Sequence, residues 1–142
     1  MNAAVTDQVK LDLPANYRSL SVLSACIREL LVHAEGLNPD ARLIYGVQLA
    51  AHEVCTNIVE HAYSLSPGER INVMLTLASE PRRIEIELVD RGRQFNMAAI
   101  ADPDLSEPRE EGYGLYLIRT LMDEVSYTPN ASGNRWNLIK HL

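Results

Sequence analysis

The sequence predicts a two-layer α/β sandwich, in which helices pack on a mixed, mostly antiparallel sheet. Apolar residues in the first half of the chain recur every three or four positions, as they do in amphipathic helices. Further on, two runs alternate apolar and polar residues, as strands do. The 142 residues, 46% of them hydrophobic, suffice for one core. We therefore expect a single domain over residues 1–142.

The first half of the chain predicts one strand and two helices. Alternating Val and Leu residues indicate a strand over residues 8–13. A helical pattern follows over residues 16–35, and Gly36 is in a suitable position for its C-cap. The next helix is expected to begin at Asn38 as N-cap, with proline after it, and to run towards Tyr63.

The second half predicts two hairpins separated by a loop and a helix. The predicted elements are strands INVMLTLA (71–78) and RIEIELVD (83–90), a loop over 91–111, a helix over 115–125, and strands over 126–128 and 134–142. A loop of this length inside a small domain is often functional, so we expect a mobile lid over about 91–113. The predicted order is β-α-α-β-β-loop-α-β-β.

Charge and composition exclude several classes of protein. The formal net charge of −6 argues against general nucleic-acid binding, which needs basic surface. No apolar stretch approaches the about 18 residues of a membrane span, and the amino terminus lacks a secretion-signal pattern. A cytoplasmic protein without membrane contact is expected. Cys26 and Cys55 lie in helical apolar patterns, which favours two buried thiols over a disulfide or metal site.

Glu53 and Asn57 are the first candidate site residues. They lie four residues apart on the second predicted helix, so their side chains share one face. An amide oxygen can bind Mg²⁺ together with water and substrate phosphates, and a carboxylate can accept a proton from an attacking hydroxyl. This spacing is common by chance, and by itself an ordinary polar helix edge explains it better.

Asp90 and Gly92 form the second candidate. Asp90 ends an apolar strand, where a side chain can point into a cleft. An ionised carboxylate only accepts hydrogen bonds, which suits the exocyclic amino group of adenine, and Gly92 would let the backbone pass close to the base. A simple turn at the end of a strand explains the same residues equally well.

Gly112 and Gly114 form the third candidate, where the long loop meets a helix. Glycine permits unusual backbone angles, and the free N–H groups at a helix start attract phosphate oxygens. A single G-x-G is weak evidence, and a flexible hinge is an equal explanation.

Together and in this order, the three motifs resemble the Bergerat-type ATPase fold shared by gyrase, histidine kinases and mismatch-repair ATPases. The chain is most similar to the anti-sigma-factor serine/threonine kinases of bacterial partner-switching systems. The similarity spans nearly the whole chain and is strongest in HEVCTNIVEHAY (52–63), LVDRGRQFN (88–96) and EGYGLYLIRTLMDEVSY (111–127).

The resemblance implies ATP and Mg²⁺ as cofactors and gives each motif a role. Glu53 looks like the catalytic base, Asn57 like the Mg²⁺ ligand and Asp90 like the carboxylate that reads adenine. The residues implied to bind the nucleotide are Asn57, Asp90, Gly92, Phe95, Arg109, Gly112, Tyr113, Gly114, Leu115 and Asn134. His61 also matches a family position, but packing near the helix end is the simpler interpretation.

The chain departs from the family pattern at two positions. Relatives commonly carry Thr after the glycine that opens the last strand, where its hydroxyl supports the adenine-reading Asp, whereas here Asn134 follows Gly133. Asn can also donate and accept, so altered nucleotide binding is expected. A basic residue often precedes the lid glycines, and Arg109 lies close to that position.

The resemblance also implies partners. They are a STAS-type anti-sigma-factor antagonist as the phosphorylated protein, a sigma factor or other effector that the kinase sequesters, and a second copy in a homodimer. The alternative is a sequestering module whose shape nucleotide tunes without phosphoryl transfer. The detached ATP-binding part of a histidine kinase is disfavoured, because the chain has no room for a phosphoacceptor helical hairpin.

Overall fold

The computed structural model describes residues 5–95 and 113–142. In chain order these residues form β1 (Val5–Pro14), α1 (Arg18–Val32), α2 (Ala41–Asn57), a π-helical turn (Ile58–Ala62), β2 (Arg70–Ala78), β3 (Arg83–Asp90), α3 (Tyr113–Leu121), β4 (Glu124–Thr128) and β5 (Asn134–His141). The order of helices and strands is the predicted one. None of the helices in these two ranges has both the length and the apolarity to cross a membrane.

The five strands form one sheet in the order β1-β2-β3-β5-β4. All four neighbouring pairs in the described ranges are antiparallel. Alternate residues of β3 are buried, so one face of the sheet carries the apolar residues that pack against the helices. Ile86, Leu88 and Leu138 on this face are fully buried, as are Leu23 and Ile27 of α1. The α/β sandwich predicted from the sequence is confirmed.

Two helix ends lie closer to the helix centre than the sequence predicts. The N-cap of α2 is Asp40 and not Asn38, because the Asp40 carboxylate accepts a hydrogen bond from the backbone N–H of Leu43 at 2.7 Å. Helix α1 ends at Val32, and Gly36, at φ +71°, closes the turn after it. Gly36 is therefore a turn residue and not the C-cap of α1.

The predicted helix over 115–125 is too long at its C-terminal end. Its last backbone bond joins Met122 N to Ile118 O, and the next N–H, of Asp123, already bonds Ile139 O of β5 at 2.9 Å. Val125 pairs with Leu138, so the end of the predicted helix belongs to β4. Pairing with β5 outweighs the local helical pattern here.

Helix α2 continues into the π-helical turn without a break. The turn is marked by a bond from Tyr63 N to Ile58 O, five residues back, at 2.9 Å. The wider turn places Ala62 beside the end of β3, where the Arg93 N–H donates to Ala62 O at 2.8 Å. The π-helical turn thereby connects α2, which carries Glu53 and Asn57, to the end of β3, where Asp90 lies.

The two cysteines are free thiols, as the sequence predicts. Cys55 is buried in the core, and burial raises the pKa of its thiol to about 12. Cys26 is only half-buried, so the prediction of two buried thiols is right for Cys55 alone.

Candidate functional site

A cavity of about 760 Å³ lies between α2, the π-helical turn, the end of β3 and the start of α3. This volume is within the range of small-molecule sites, roughly 300–1,000 Å³. The predicted site residues among its lining are Glu53, Asn57, Asp90, Phe95, Tyr113, Gly114 and Leu115. The structure therefore brings residues from three separate segments of the chain into one cavity.

The Glu53–Asn57 face of α2 lies against the first turn of α3. A Cβ built on Gly114 would lie 3.0 Å from Glu53 Oε2 and 3.9 Å from Asn57 Oδ1. Both side chains are half-buried, which agrees with their predicted place at the edge of the apolar stripe. Gly114 thus allows the start of α3 to approach an acid and an amide oxygen, beside the helix end that favours phosphate.

Asp90 lies at the other end of the cavity, at the end of β3, and its side chain is almost completely buried. Its Oδ1 accepts hydrogen bonds from the Gly92 N–H at 2.9 Å and from Asn134 Nδ2 at 3.0 Å. Burial raises the pKa of Asp90, and these two bonds partly offset the rise because they favour the ionised form. Both described bonds end on Oδ1, so Oδ2 is the oxygen that they leave for a ligand.

Gly92 is needed for a contact with the protein's own backbone. A Cβ at this position would lie 2.4 Å from the Ala62 carbonyl oxygen and 2.6 Å from its carbon. The sequence hypothesis gave Gly92 a close approach to adenine; the close approach in the structure is to Ala62 of the π-helical turn. Gly92 supports the site by packing β3 against that turn.

Three aromatic side chains form a wall of the cavity next to Asp90. Tyr127 and Trp136 are paired across β4 and β5 with ring centroids 4.8 Å apart, and Phe95 lies 5.8 Å from Trp136. The Phe95 N–H donates to the Tyr127 hydroxyl at 2.8 Å. Only Phe95 was predicted from sequence. The inward alternation of the last hairpin could have indicated Tyr127 and Trp136, since they occupy opposing positions, one half-buried and one buried.

Tyr63 lies outside the described lining of the cavity but holds two of the segments that form it, and no sequence pattern pointed to this role. Its hydroxyl donates to Arg70 O and accepts from the Arg91 N–H, both at 2.7 Å. These bonds fasten the start of β2 and the residue after Asp90 to the end of the π-helical turn. Burial is the main cause of the raised pKa of Tyr63.

The remaining predicted residues lie elsewhere. Asn134 is buried behind Asp90 and is not among the described residues that line the cavity. Arg109 and Gly112 lie outside the described residues, as does most of the predicted lid. The structure describes the start of this loop, where the backbone N–H groups of Gly92 and Arg93 are both hydrogen-bonded.

The described lining is acidic overall. By formal charge it holds three acidic side chains, Glu53, Glu60 and Asp90, and one basic side chain, Arg93. A polyphosphate would be repelled by this balance unless cations accompany it. Arg93 Nη2 donates a hydrogen bond to His61 O at 3.2 Å, which holds the positive charge of Arg93 beside the π-helical turn.

Comparisons with known proteins concern the family and the fold of the chain. A sequence model of the histidine kinase-like ATPase domain matches residues 13–140. Serine-protein kinase RsbW of Bacillus mycoides (strain KBAB4) is 39% identical over 87 residues, which are 56% of this chain and 52% of the relative. RsbW of Bacillus cereus (strain AH187) is 41% identical over 90 residues, 58% of this chain and 54% of the relative. The chain thus spans about half the length of these relatives.

Two solved structures share the fold at low sequence identity. The structure of the RsbU and RsbW domains of Rv1364c from Mycobacterium tuberculosis has a TM-score of 0.69 at 22% identity, over 96% of this chain and 33% of that one. The blue-light activated histidine kinase EL346 of Erythrobacter litoralis has a TM-score of 0.58 at 17% identity, over 92% of this chain and 42% of that one. These likenesses concern the fold alone. The sequence model, which covers most of the chain, shows the family: the chain belongs to the histidine kinase-like ATPase family, whose domains bind ATP.

Proposed function

We propose that this chain is a serine/threonine protein kinase that uses Mg-ATP to phosphorylate an anti-sigma-factor antagonist and that sequesters a sigma factor or other effector. The observation that carries the proposal is the position of Glu53 Oε2 and Asn57 Oδ1 against the first turn of α3, in the cavity whose far end holds Asp90. The similarity to proteins named serine-protein kinase RsbW supports the reaction type.

The dimensions of the cavity suit an extended nucleotide. The α-helical part from Glu53 to Asn57 rises about 6 Å at about 1.5 Å per residue, and the π-helical turn continues the helix to Ala62. Adenine would lie at the Ala62 end, with its amino group on Asp90 Oδ2 and its ring against Phe95 and Tyr127. The phosphates would lie at the Glu53 end, beside the start of α3.

Asn57 would hold Mg²⁺ through Oδ1. The residues of the two described ranges contain no group of three or more His, Cys, Asp or Glu placed to hold a metal ion. One amide oxygen suits Mg²⁺ when phosphate oxygens and water supply the other ligands. The ion would supply positive charge, which would offset the repulsion between the acidic lining and a triphosphate.

Glu53 would act as the general base. Its carboxylate takes the proton of the substrate hydroxyl while the hydroxyl oxygen forms a bond to the terminal phosphorus. The bond from that phosphorus to the bridging oxygen breaks, and ADP leaves with the electron pair. Positioning and electrostatics would account for most of the catalysis in such a transfer.

The test is transfer of label from [γ-³²P]ATP with Mg²⁺ to the STAS-type protein encoded nearest to this chain's gene. Glu53→Ala is expected to keep its ATP affinity and to lose about 10²–10⁴ in transfer rate. Asn57→Ala is expected to lose the Mg²⁺ dependence of ATP binding, measured by calorimetric titration with and without Mg²⁺. Glu29→Ala, on the exposed side of α1, is the control and should transfer normally.

The outcomes separate the candidate functions. Undiminished transfer by Glu53→Ala would remove Glu53 as the base. A wild-type protein that binds Mg-ATP, labels no substrate and still binds its partners would be the sequestering module. Light scattering of the purified protein tests the proposed homodimer.

A further inference from the structure

Helices α2 and α3 lie side by side and run in opposite directions. At the start of α3, a Cβ on Gly114 would lie 3.0 Å from Glu53 Oε2. At the end of α3, Leu121 Cδ2 lies 3.5 Å from the place of a Cβ on Gly46, two turns before Glu53 on α2. The line of contact between the two helices therefore leads from the cavity towards the start of α2.

This line of contact exposes apolar surface. Leu49 lies between Gly46 and Glu53 in the spacing of one helix face, so it also faces α3. Leu117 has the corresponding place on α3, and it lines the cavity as well. Leu49, Leu117 and Leu121 are all half-buried, so part of each side chain is open to solvent.

Tyr45 extends this apolar surface at the start of α2. It lies one turn before Leu49 on the same face, and its side chain is 64% exposed, more than any other large hydrophobic residue in the described ranges. A single exposed apolar side chain is normal on a protein surface. Tyr45 differs because it continues a row of exposed leucines that reaches the cavity. We call Tyr45, Leu49, Leu117 and Leu121 the α2–α3 seam.

The direction of the reaction places the second substrate on the side of the seam. The proposed nucleotide has its phosphates beside Glu53 and its base near Ala62. The attacking and leaving oxygens lie roughly in line in a phosphoryl transfer. Because ADP leaves from Glu53 towards Ala62, the attacking hydroxyl comes from the opposite direction, over the half of α2 that precedes Glu53. The seam lies beside that half of the helix.

We propose that the α2–α3 seam is the docking surface for the protein that receives the phosphate, with Tyr45 as its main contact. The inference rests on the proposed kinase reaction and adds the surface that holds the substrate. Exposed leucine surface suits an apolar side chain of the partner, and tyrosine is among the residues that most often dominate binding at interfaces. Tyr45 lies eight residues from Glu53, about 12 Å along the helix at about 1.5 Å per residue. The substrate therefore presents an apolar side chain at about this distance from its accepting hydroxyl.

The experiment measures kcat and KM for the transfer of label from Mg-ATP to the STAS-type protein encoded nearest to this chain's gene. Tyr45→Ala should raise the KM for that protein about tenfold and keep kcat, because it removes binding that the ground state and the transition state share. The dissociation constant of Mg-ATP, measured by calorimetry, should not change. Tyr45→Phe keeps the ring and should keep the wild-type KM. Leu65→Ala is the matched control: Leu65 is 61% exposed, lies beyond the π-helical turn at the other end of α2, and should leave KM unchanged.

The other outcomes contradict the inference in distinct ways. An unchanged KM in Tyr45→Ala would show that the substrate does not dock on the seam. An equal rise of KM in Tyr45→Ala and Leu65→Ala would show a loss that is not specific to this surface. A fall in kcat or in ATP affinity would mean that Tyr45 acts on the nucleotide cavity and not on docking. A wild-type protein that transfers no label refutes the proposed function, and the inference with it.

Discussion

Replacing Gly92 with alanine tests how the two halves of the site are joined. The new Cβ would lie 2.4 Å from Ala62 O, 2.6 Å from Ala62 C and 2.9 Å from Ala62 Cβ. The first two neighbours are backbone atoms of the π-helical turn, which cannot move aside by a change of rotamer. Either this turn or the end of β3 must shift, and both hold site residues.

The expected cost follows from the size of the overlap. Overpacking by one methyl group in a tight contact costs about 1–3 kcal/mol. For a domain of this length that corresponds to a fall in Tm of roughly 3–12 °C. The shift also strains the bond from the Gly92 N–H to Asp90 Oδ1, so ATP affinity should fall in the same variant.

The assay is thermal and urea unfolding followed by circular dichroism. The matched control is Gly46→Ala in α2, where the new Cβ would make an ordinary contact, 3.5 Å from Leu121 Cδ2. Alanine is the better helix former by about 1 kcal/mol, so this control should be unchanged or more stable. A Gly92→Ala protein with the wild-type Tm and unfolding midpoint would refute the assigned role of this contact.

Three further changes test the site. Gly114→Ala places a Cβ 3.0 Å from the mobile end of Glu53, so the Tm should be kept while the rate of phosphoryl transfer falls; a normal rate would mean that the position of this carboxylate is not critical. Tyr63→Phe removes the partner of Arg70 O and of the Arg91 N–H and should cost about 1–3 kcal/mol in urea unfolding, whereas an unchanged midpoint would show that these bonds add nothing. Burial raises the pKa of Asp90 above 3.8, so the stability that its neutral form confers is fully present below pH 3.8 and is lost as the pH rises through the raised value. Asp90→Asn should therefore stabilise the fold most at pH 7 and less towards pH 4 in urea unfolding, and a gain independent of pH would contradict this.

Local patterns were sufficient for the parts of the site that depend on one segment. Helical spacing placed Glu53 and Asn57 on one face, and the alternation of β3 placed Asp90 at a strand end. Glu53, Asn57 and Asp90 all line one cavity. The prediction that the three motifs meet came from their order in the chain, because this order resembles that of a known ATPase fold.

Contacts between distant segments could not be read from local patterns. The approach of Gly92 to Ala62 spans 30 residues, and its physical reason appears only when β3 meets the π-helical turn. The pairing of Tyr127 with Trp136 depends on the register of β4 and β5. The same holds for the start of α2: Asn38 and Asp40 are both good N-cap residues, and the backbone path selects Asp40.

Asp90 gives the strongest physical argument for a ligand at this end of the cavity. Among the described residues two donors meet it, the Gly92 N–H and Asn134 Nδ2; both bond Oδ1, and the amide oxygen of an asparagine could accept them equally well. The fold therefore has no need of the negative charge, whose burial raises the pKa and costs stability at neutral pH. A buried charge that folding does not require is typical of functional sites. Its free oxygen accepts an N–H, so the ligand that explains the charge is one that brings a donor to this end of the cavity, as the 6-amino group of adenine does.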